Sequence, residues 1–316
     1  MNLERYQALM DPELRPVFEL MLPLFLNPPE DPVATREQLP LPKSEPNERV
    51  LVENRRVSGP AGAPDVPVRV YTPAVRTTTL PGLLWIHGGG FTSGQPEQDD
   101  ALCERFVEEV GSVVVSVDYR LAPEHPFPAA PEDCYAALRW MTAEAAGLGI
   151  DPARIAVGGA SAGGGLAAAV ALIARDRKEV PLVFELLIYP CLDDRHITPS
   201  SQAIATPGMV WERGTSLRGW SAYLGADHQG EVSPYAAPAR VADVAGLPPT
   251  YLMIGELDLM RDESIEYALR LMQADIPTQL HVYPGAFHGF DQLVSSATVS
   301  QRATSEYIDA LKSILT

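Results

Sequence analysis

The chain has 316 residues, 46% of them hydrophobic, and a formal net charge of -17 at pH 7. That supports a large core, and so acidic a surface has the wrong sign for nucleic acid or an anionic membrane as partner. Three widely spaced cysteines, Cys103, Cys134 and Cys191, form no C-x-x-C pair, which argues against a disulfide framework or a zinc site and fits a reducing cytoplasm.

Residues 1–45 are rich in proline and acids, with helical spacing at Tyr6, Leu9, Met10, Leu14, Phe18 and Met21. They are expected to form a small helical arm, and Pro28-Pro29 and the stretch from Pro40 to Pro46 are linker-like. No basic-then-apolar leader pattern opens the chain. The apolar run from Leu20 to Leu26 contains Pro23 and is too short to span a bilayer, so it is expected to line a cap or pocket, with Leu22 and Phe25 in it. Two alternating stretches, 50–57 and 66–71, flank a Gly/Pro turn and predict an antiparallel pair.

A different rhythm follows. Residues 83–86 are continuously apolar, the mark of a strand buried on both faces, and end in His87-Gly88-Gly89-Gly90-Phe91. Helix-like spacing over 99–109 leads to a second apolar strand at 113–117. A proline-rich loop precedes a helix at 133–145, and a strand at 154–158 runs into Gly159-Ala160-Ser161-Ala162-Gly163 and a helix over 166–174. A strand at 183–189 follows, then an irregular stretch with a helix at 216–224. The rhythm resumes with a strand at 250–254, a helix at 263–273, a strand at 278–283 and a last helix at 299–315. Apolar strands alternating with helices predict an α/β fold with a mostly parallel central sheet flanked by helices. The predicted division is an N-terminal cap segment (1–45), a first core part (46–190), a cap insertion (191–235) and a second core part (236–316).

The pentapeptide around Ser161 has the form of a strand-to-helix turn that exposes a serine hydroxyl at a helix N-terminus, where the dipole favours developing negative charge. Such a hydroxyl is a nucleophile only with a base in reach, an acid orienting the base, and N–H donors for an oxyanion. In a parallel sheet those groups lie at the C-terminal ends of the strands. Of six histidines, His288 follows the last strand and suits the Ser, acid, His chain order. The acid is expected in the loop after 250–254. Asp258 is the first choice, Glu256 the nearest rival and Asp262 the next. The oxyanion donors are expected from Ala162 and from the glycine run, where Gly89 is paired with Gly88 or Gly90.

Taken together, these pieces resemble the hormone-sensitive-lipase-like branch of the α/β-hydrolases, which includes bacterial family IV carboxylesterases. The resemblance runs from Tyr71 to Phe290. It rests on His87 to Phe91, Asp118-Tyr-Arg-Leu-Ala-Pro-Glu124 with Pro126 to Ala130, the Ser161 pentapeptide, Gly246-Leu-Pro-Pro249, Gly255 to Asp258 with Arg261 to Glu263, and His288-Gly-Phe290. It implies Ser161, Asp258 and His288 as a catalytic triad under a helical cap; the residues themselves show no metal cluster, and the triple glycine lacks the Lys-Ser/Thr of a P-loop, so no metal and no cofactor are expected. It also implies that Asp118, Arg120 and Glu124 brace the glycine loop and that His87 positions it. One departure stands out: the family usually has Asp or Thr before the nucleophile, and here Ala160 leaves no side chain for an elbow-bracing hydrogen bond.

The resulting expectation is hydrolysis of small-molecule carboxylic esters of short to medium acyl chain through an acyl-enzyme. Phe91, Trp211, Trp220, Tyr223, Leu22 and Phe25 are candidates for an apolar pocket. Amidase, formamidase or transacylase chemistry on the same triad is the alternative, and a non-catalytic binding protein on this fold is a more distant one. An exposed edge strand at 278–283 would allow a homodimer.

Overall fold

The apolar runs become a single eight-stranded sheet in the order β1-β2-β4-β3-β5-β6-β7-β8. The computed structural model describes residues 1–27, 31, 36, 47–76, 78–225 and 228–316, so the linker-like Pro28-Pro29 and Pro40 to Pro46 fall outside the described residues. The outer pair β1 (Val50–Val57) and β2 (Val66–Pro73) is antiparallel, as the alternating pattern predicts, and β2 runs antiparallel to β4 (Val113–Val117). From there the sheet is parallel through β3 (Leu80–Ile86), β5 (Ile150–Ala160), β6 (Phe184–Ile188), β7 (Thr250–Leu257) and β8 (Thr278–Phe287). The inner strands carry Val, Ile and Leu on both faces because helices cover both faces.

Ten described helices surround or cap this sheet: α1 (Leu3–Leu9), α2 (Arg15–Leu26), α3 (Asp100–Arg105), α4 (Ala129–Ala143), α5 (Ala145–Leu148), α6 (Ala162–Arg177), α7 (Pro199–Ala203), α8 (Arg213–Leu224), α9 (Arg261–Gln273) and α10 (Phe290–Leu293). A further helix, α11 (Thr298–Leu315), ends the chain. The helix predicted at 99–109 is α3 continued by one wider turn, Phe106–Val110, which stops at Gly111 in the left-handed region (φ 72°). Helix α6 is buried from Ala162 to Ala174, all but its last turn. Its low polarity on every side fits that position, since a helix apolar all round belongs inside a core.

Between β6 and β7 the alternation stops, and α7 and α8 lie there. Thr198 caps α7 by accepting from Ser201 N, and the Glu212 carboxylate caps α8 by accepting from Gly214 N and Thr215 N. Helix α2 packs through Phe18, which stacks on Phe25 and against Phe287 at the end of β8. Asp11 N donates to Gly285 O at 3.0 Å, so the N-terminal segment is fastened to the loop end of β8.

One core group is out of keeping with its surroundings. Glu185, near the start of β6, is fully buried between Val157 and Thr250, with Thr250 Oγ1 donating to one carboxyl oxygen at 3.2 Å. Its other oxygen has no partner among the described residues. Burial pushes its carboxyl from the usual 4.5 up to about 7. Between those values the folded chain holds a proton that the unfolded chain has released. Stability at this site therefore falls as pH rises from 4.5 towards 7 and then levels off, by up to about 3 kcal/mol. Glu185→Gln should remove that slope. Urea unfolding at pH 5 and pH 8 should show the variant gaining on the wild type at the higher pH, and equal gaps at both would refute the assignment.

Candidate active site

The steric demands on the Ser161 turn are written in its two glycines. Ser161 closes β5 with φ 57° and ψ -121°, a strained conformation for a residue with a side chain. A Cβ at Gly159 would lie 2.3 Å from Gly163 O, and one at Gly163 would lie 2.0 Å from Ile86 O. Neither position admits any other residue without moving backbone. The turn is held by Ser161 N donating to Ile188 O (2.9 Å) and by Gly165 N and Cys191 N donating to Ser161 O (3.0 Å each). These backbone bonds fix the elbow without any help from residue 160. Ala160 itself is buried and paired with Ile188 in the sheet.

Two loops from other strand ends bring the remaining groups to this serine. Ser161 Oγ donates to His288 Nε2 at 2.9 Å, and His288 Nδ1 donates to Asp258 Oδ2 at 2.7 Å. Asp258 is fully buried, and its second oxygen accepts from Met260 N at 3.0 Å. Its two rivals are occupied elsewhere. Glu256 accepts from Gly285 N at 2.9 Å, and Asp262 accepts from Ser200 N at 2.6 Å and pairs with Arg261. The order of hydrogen bonds fixes a proton on Nδ1 and leaves Nε2 to receive the serine proton.

The glycine run lies beside the elbow. Gly89 (φ 127°), Gly90 (φ 61°) and Phe91 (φ 65°) turn the chain sharply, and Gly89 O accepts from Thr92 N and Ser93 N. A Cβ at Gly89 would meet Ser93 O at 2.1 Å, so this turn requires glycine. Gly88 lies against the elbow: a Cβ there would be 3.3 Å from Ser161 Cβ. Ala162 is the first residue of α6, and the first N–H groups of a helix have no partner within it. Backbone N–H groups of Ala162 and of the glycine run are therefore the candidate donors to an oxyanion at this hydroxyl.

His87 is fully buried, and burial pushes it down to about 4. A neutral ring donating from Nδ1 to Gly88 O at 2.8 Å, stacked on Tyr119 at 4.4 Å, is a prop for the loop. Tyr119 also donates its hydroxyl to His87 O at 3.1 Å. The bracing expected of Asp118, Arg120 and Glu124 is thus distributed differently. Tyr119 props the loop directly, and Arg120 is turned away to pair with Asp133 at 2.7 Å. Glu124 acts through Arg36, whose guanidinium also donates to Thr92 O and Ala122 O.

Three neighbours of the triad carry no motif of their own. Tyr189 sets its ring edge-on to His288 at 4.7 Å. Cys191 Sγ lies 3.9 Å from Ser161 Oγ, and burial pushes its thiol well above the usual range, so it stands there as a neutral thiol. Trp211 lies 6.0 Å from His288, ring to ring. Tyr189 and Cys191 follow the C-terminal end of β6, where the strand-end rule could have flagged them. Among the other pocket candidates, Phe91 stacks on Tyr223 at 4.1 Å and tilts against Trp220 at 5.1 Å, all three buried as one aromatic block beside the glycine run. Leu22 reaches Gly208, while Phe25 rests on Phe18. Among the described residues no cluster of acids, histidines and cysteines suits a metal, and no helix is long and apolar enough to cross a membrane.

Comparison with known proteins adds an independent line. A family model described as the alpha/beta hydrolase fold matches residues 83–292. Carboxylesterase NlhH of Mycobacterium tuberculosis is 35% identical over 314 residues, covering 96% of this chain and 97% of the relative. Ethyl acetate hydrolase of Pseudomonas putida is 33% identical over 252 residues, covering 78% of each. Among solved structures, one titled bacterial heroin esterase superposes with a TM-score of 0.88 at 43% identity, covering 98% of this chain and 99% of the other.

Proposed function

The chain belongs to the α/β-hydrolase family, in its hormone-sensitive-lipase-like branch, and from that premise we propose that it is a serine carboxylesterase acting on soluble esters of short to medium acyl chain. The observation that carries the reading is the unbroken line Asp258–His288–Ser161, with contacts of 2.7 and 2.9 Å, at the strand ends beside the glycine run.

In the proposed mechanism Ser161 Oγ adds to the acyl carbon as its proton passes to His288 Nε2. The carbonyl oxygen becomes an oxyanion held by N–H groups of Ala162 and the glycine run. The carbon–oxygen bond to the alcohol then breaks, and Nε2 returns the proton to the departing alkoxide. Water, deprotonated by the same nitrogen, adds to the acyl-serine, and the carboxylic acid leaves as Oγ regains its proton. Asp258 keeps the imidazole in the required tautomer and offsets its positive charge. In this reading the described parts of the two cap segments belong over this centre, with α2 packed against the end of β8 and α8 bringing Trp220 and Tyr223 onto Phe91.

The short-acyl preference draws support from the aromatic block of Phe91, Trp220 and Tyr223 beside the glycine run and from a relative named for ethyl acetate. The test pairs two measurements. A fluorophosphonate should label the chain once, at Ser161. On p-nitrophenyl esters of graded length, kcat/KM should be highest between acetate and hexanoate and fall for palmitate. No labelling, or a palmitate optimum, would refute the corresponding part of the reading.

A further inference from the structure

Trp211 is held in an unusual way. Its backbone sits at φ 50°, in the left-handed region that large side chains avoid. Its indole N–H is buried with no acceptor among the described residues, so the ring is kept in place by shape. The benzo edge stands over the glycine run: a Cβ added to Gly90 would lie 2.3 Å from its Cη2 and 3.1 Å from its Cζ2. Gly219 of α8 closes the other side, where a Cβ would approach Gly90 O at 3.0 Å and the indole at 3.9 Å. The ring also lies 6.0 Å from the imidazole of His288, tilted by 32°. One side chain thus lies against the loop proposed to hold the oxyanion and beside the ring proposed to hand a proton to the leaving oxygen.

Two of the substituents on a tetrahedral carbon bound to Ser161 point at those groups, namely the oxyanion and the alcohol oxygen. The acyl chain points away from both. We infer that Trp211 is the specificity-determining wall of the alcohol side of the site, its indole lying where a bulky alcohol moiety would project between Gly90 and His288. This inference rests on the esterase reading above. It makes Trp211 select for esters of small or flat alcohols while leaving the choice of acyl chain to other residues.

The test uses two ratios on the full-length chain. The alcohol ratio is kcat/KM for cyclohexyl acetate over methyl acetate, and the acyl ratio is methyl hexanoate over methyl acetate. Trp211→Leu removes the wall and an unpartnered donor together and strands no hydrogen-bond partner, so it should fold. It is expected to raise the alcohol ratio about tenfold or more, the scale on which pocket volume discriminates, with the acyl ratio unchanged within about twofold. Trp211→Phe keeps a flat wall without the N–H and should hold both ratios near the wild-type values. An alcohol ratio that does not move, an acyl ratio that moves alone, or both moving together would overturn the inference. A wild-type chain that hydrolyses none of these esters and takes up no fluorophosphonate would instead overturn the esterase reading.

Discussion

Replacing Ser161 with alanine is expected to lower kcat/KM for an aryl acetate about a million-fold, the scale of nucleophile loss in serine hydrolases, with the fold left intact. The asymmetry comes from what the hydroxyl does in the folded chain. Its contacts are His288 Nε2 at 2.9 Å and a weak approach to Cys191 Sγ at 3.9 Å. The elbow is held by backbone bonds to Ile188, Gly165 and Cys191, which alanine keeps. Alanine must adopt the same strained φ of 57°, but serine already bears that cost, so thermal unfolding should shift by no more than about 1 kcal/mol. The residual rate, from the oxyanion donors acting on water, should not label with fluorophosphonate. A variant that keeps more than a few per cent of the activity would place the nucleophile elsewhere. One that unfolds would show that the hydroxyl, not the backbone, holds the elbow.

The sequence carried the catalytic frame unusually well because its parts are backbone constraints. Gly159, Gly163 and Gly89 are glycines because a Cβ would strike a carbonyl at 2.3, 2.0 and 2.1 Å; no packing rearrangement relieves that, so the pattern survives in the residues themselves. The buried strands were legible for a similar reason, since a strand covered on both faces has nowhere to place a polar side chain. What was not legible is contact between segments far apart in the chain. Nothing local to Tyr119 says that its ring lies on His87, or that Arg120 turns to Asp133 instead of the glycine run. Nor does the spacing of Trp220 and Tyr223 on α8 separate a pocket wall from the block they form with Phe91. Aromatic residues answer a demand for volume, and the same residue type meets it in a cap core or beside a substrate. In the sequence Trp211 is one aromatic among several. Its left-handed backbone and its seat on Gly90, a residue far away in the chain, cannot be read from its neighbours in the sequence.

Asp258→Asn is expected to lower kcat about ten-thousand-fold with little change in KM, whereas Glu256→Gln should stay within about threefold of the wild type. The carboxylates are two residues apart in one loop, and their hydrogen bonds separate them. Asp258 accepts twice, from Met260 N at 3.0 Å and from His288 Nδ1 at 2.7 Å. An asparagine there has one oxygen and one NH2. The backbone N–H of Met260 can only donate, so it takes the oxygen, and the NH2 is left facing the imidazole. Nδ1 must then accept, the ring proton moves to Nε2, and that nitrogen can no longer take a proton from Ser161. Geometry survives while the tautomer is wrong, so the loss appears in turnover and not in binding. Among the described residues the Glu256 carboxylate accepts from Gly285 N, and glutamine keeps an oxygen for it. Its loss of charge lies outside the line of proton transfer. Steady-state kinetics on p-nitrophenyl butyrate, with NMR of the imidazole nitrogens to read the tautomer, separates the two. If the loss followed Glu256→Gln instead, that residue would be the acid and the short Asp258–His288 contact would be structural. A slow Asp258→Asn variant that still carried its proton on Nδ1 would mean that charge, not tautomer, is what the carboxylate contributes.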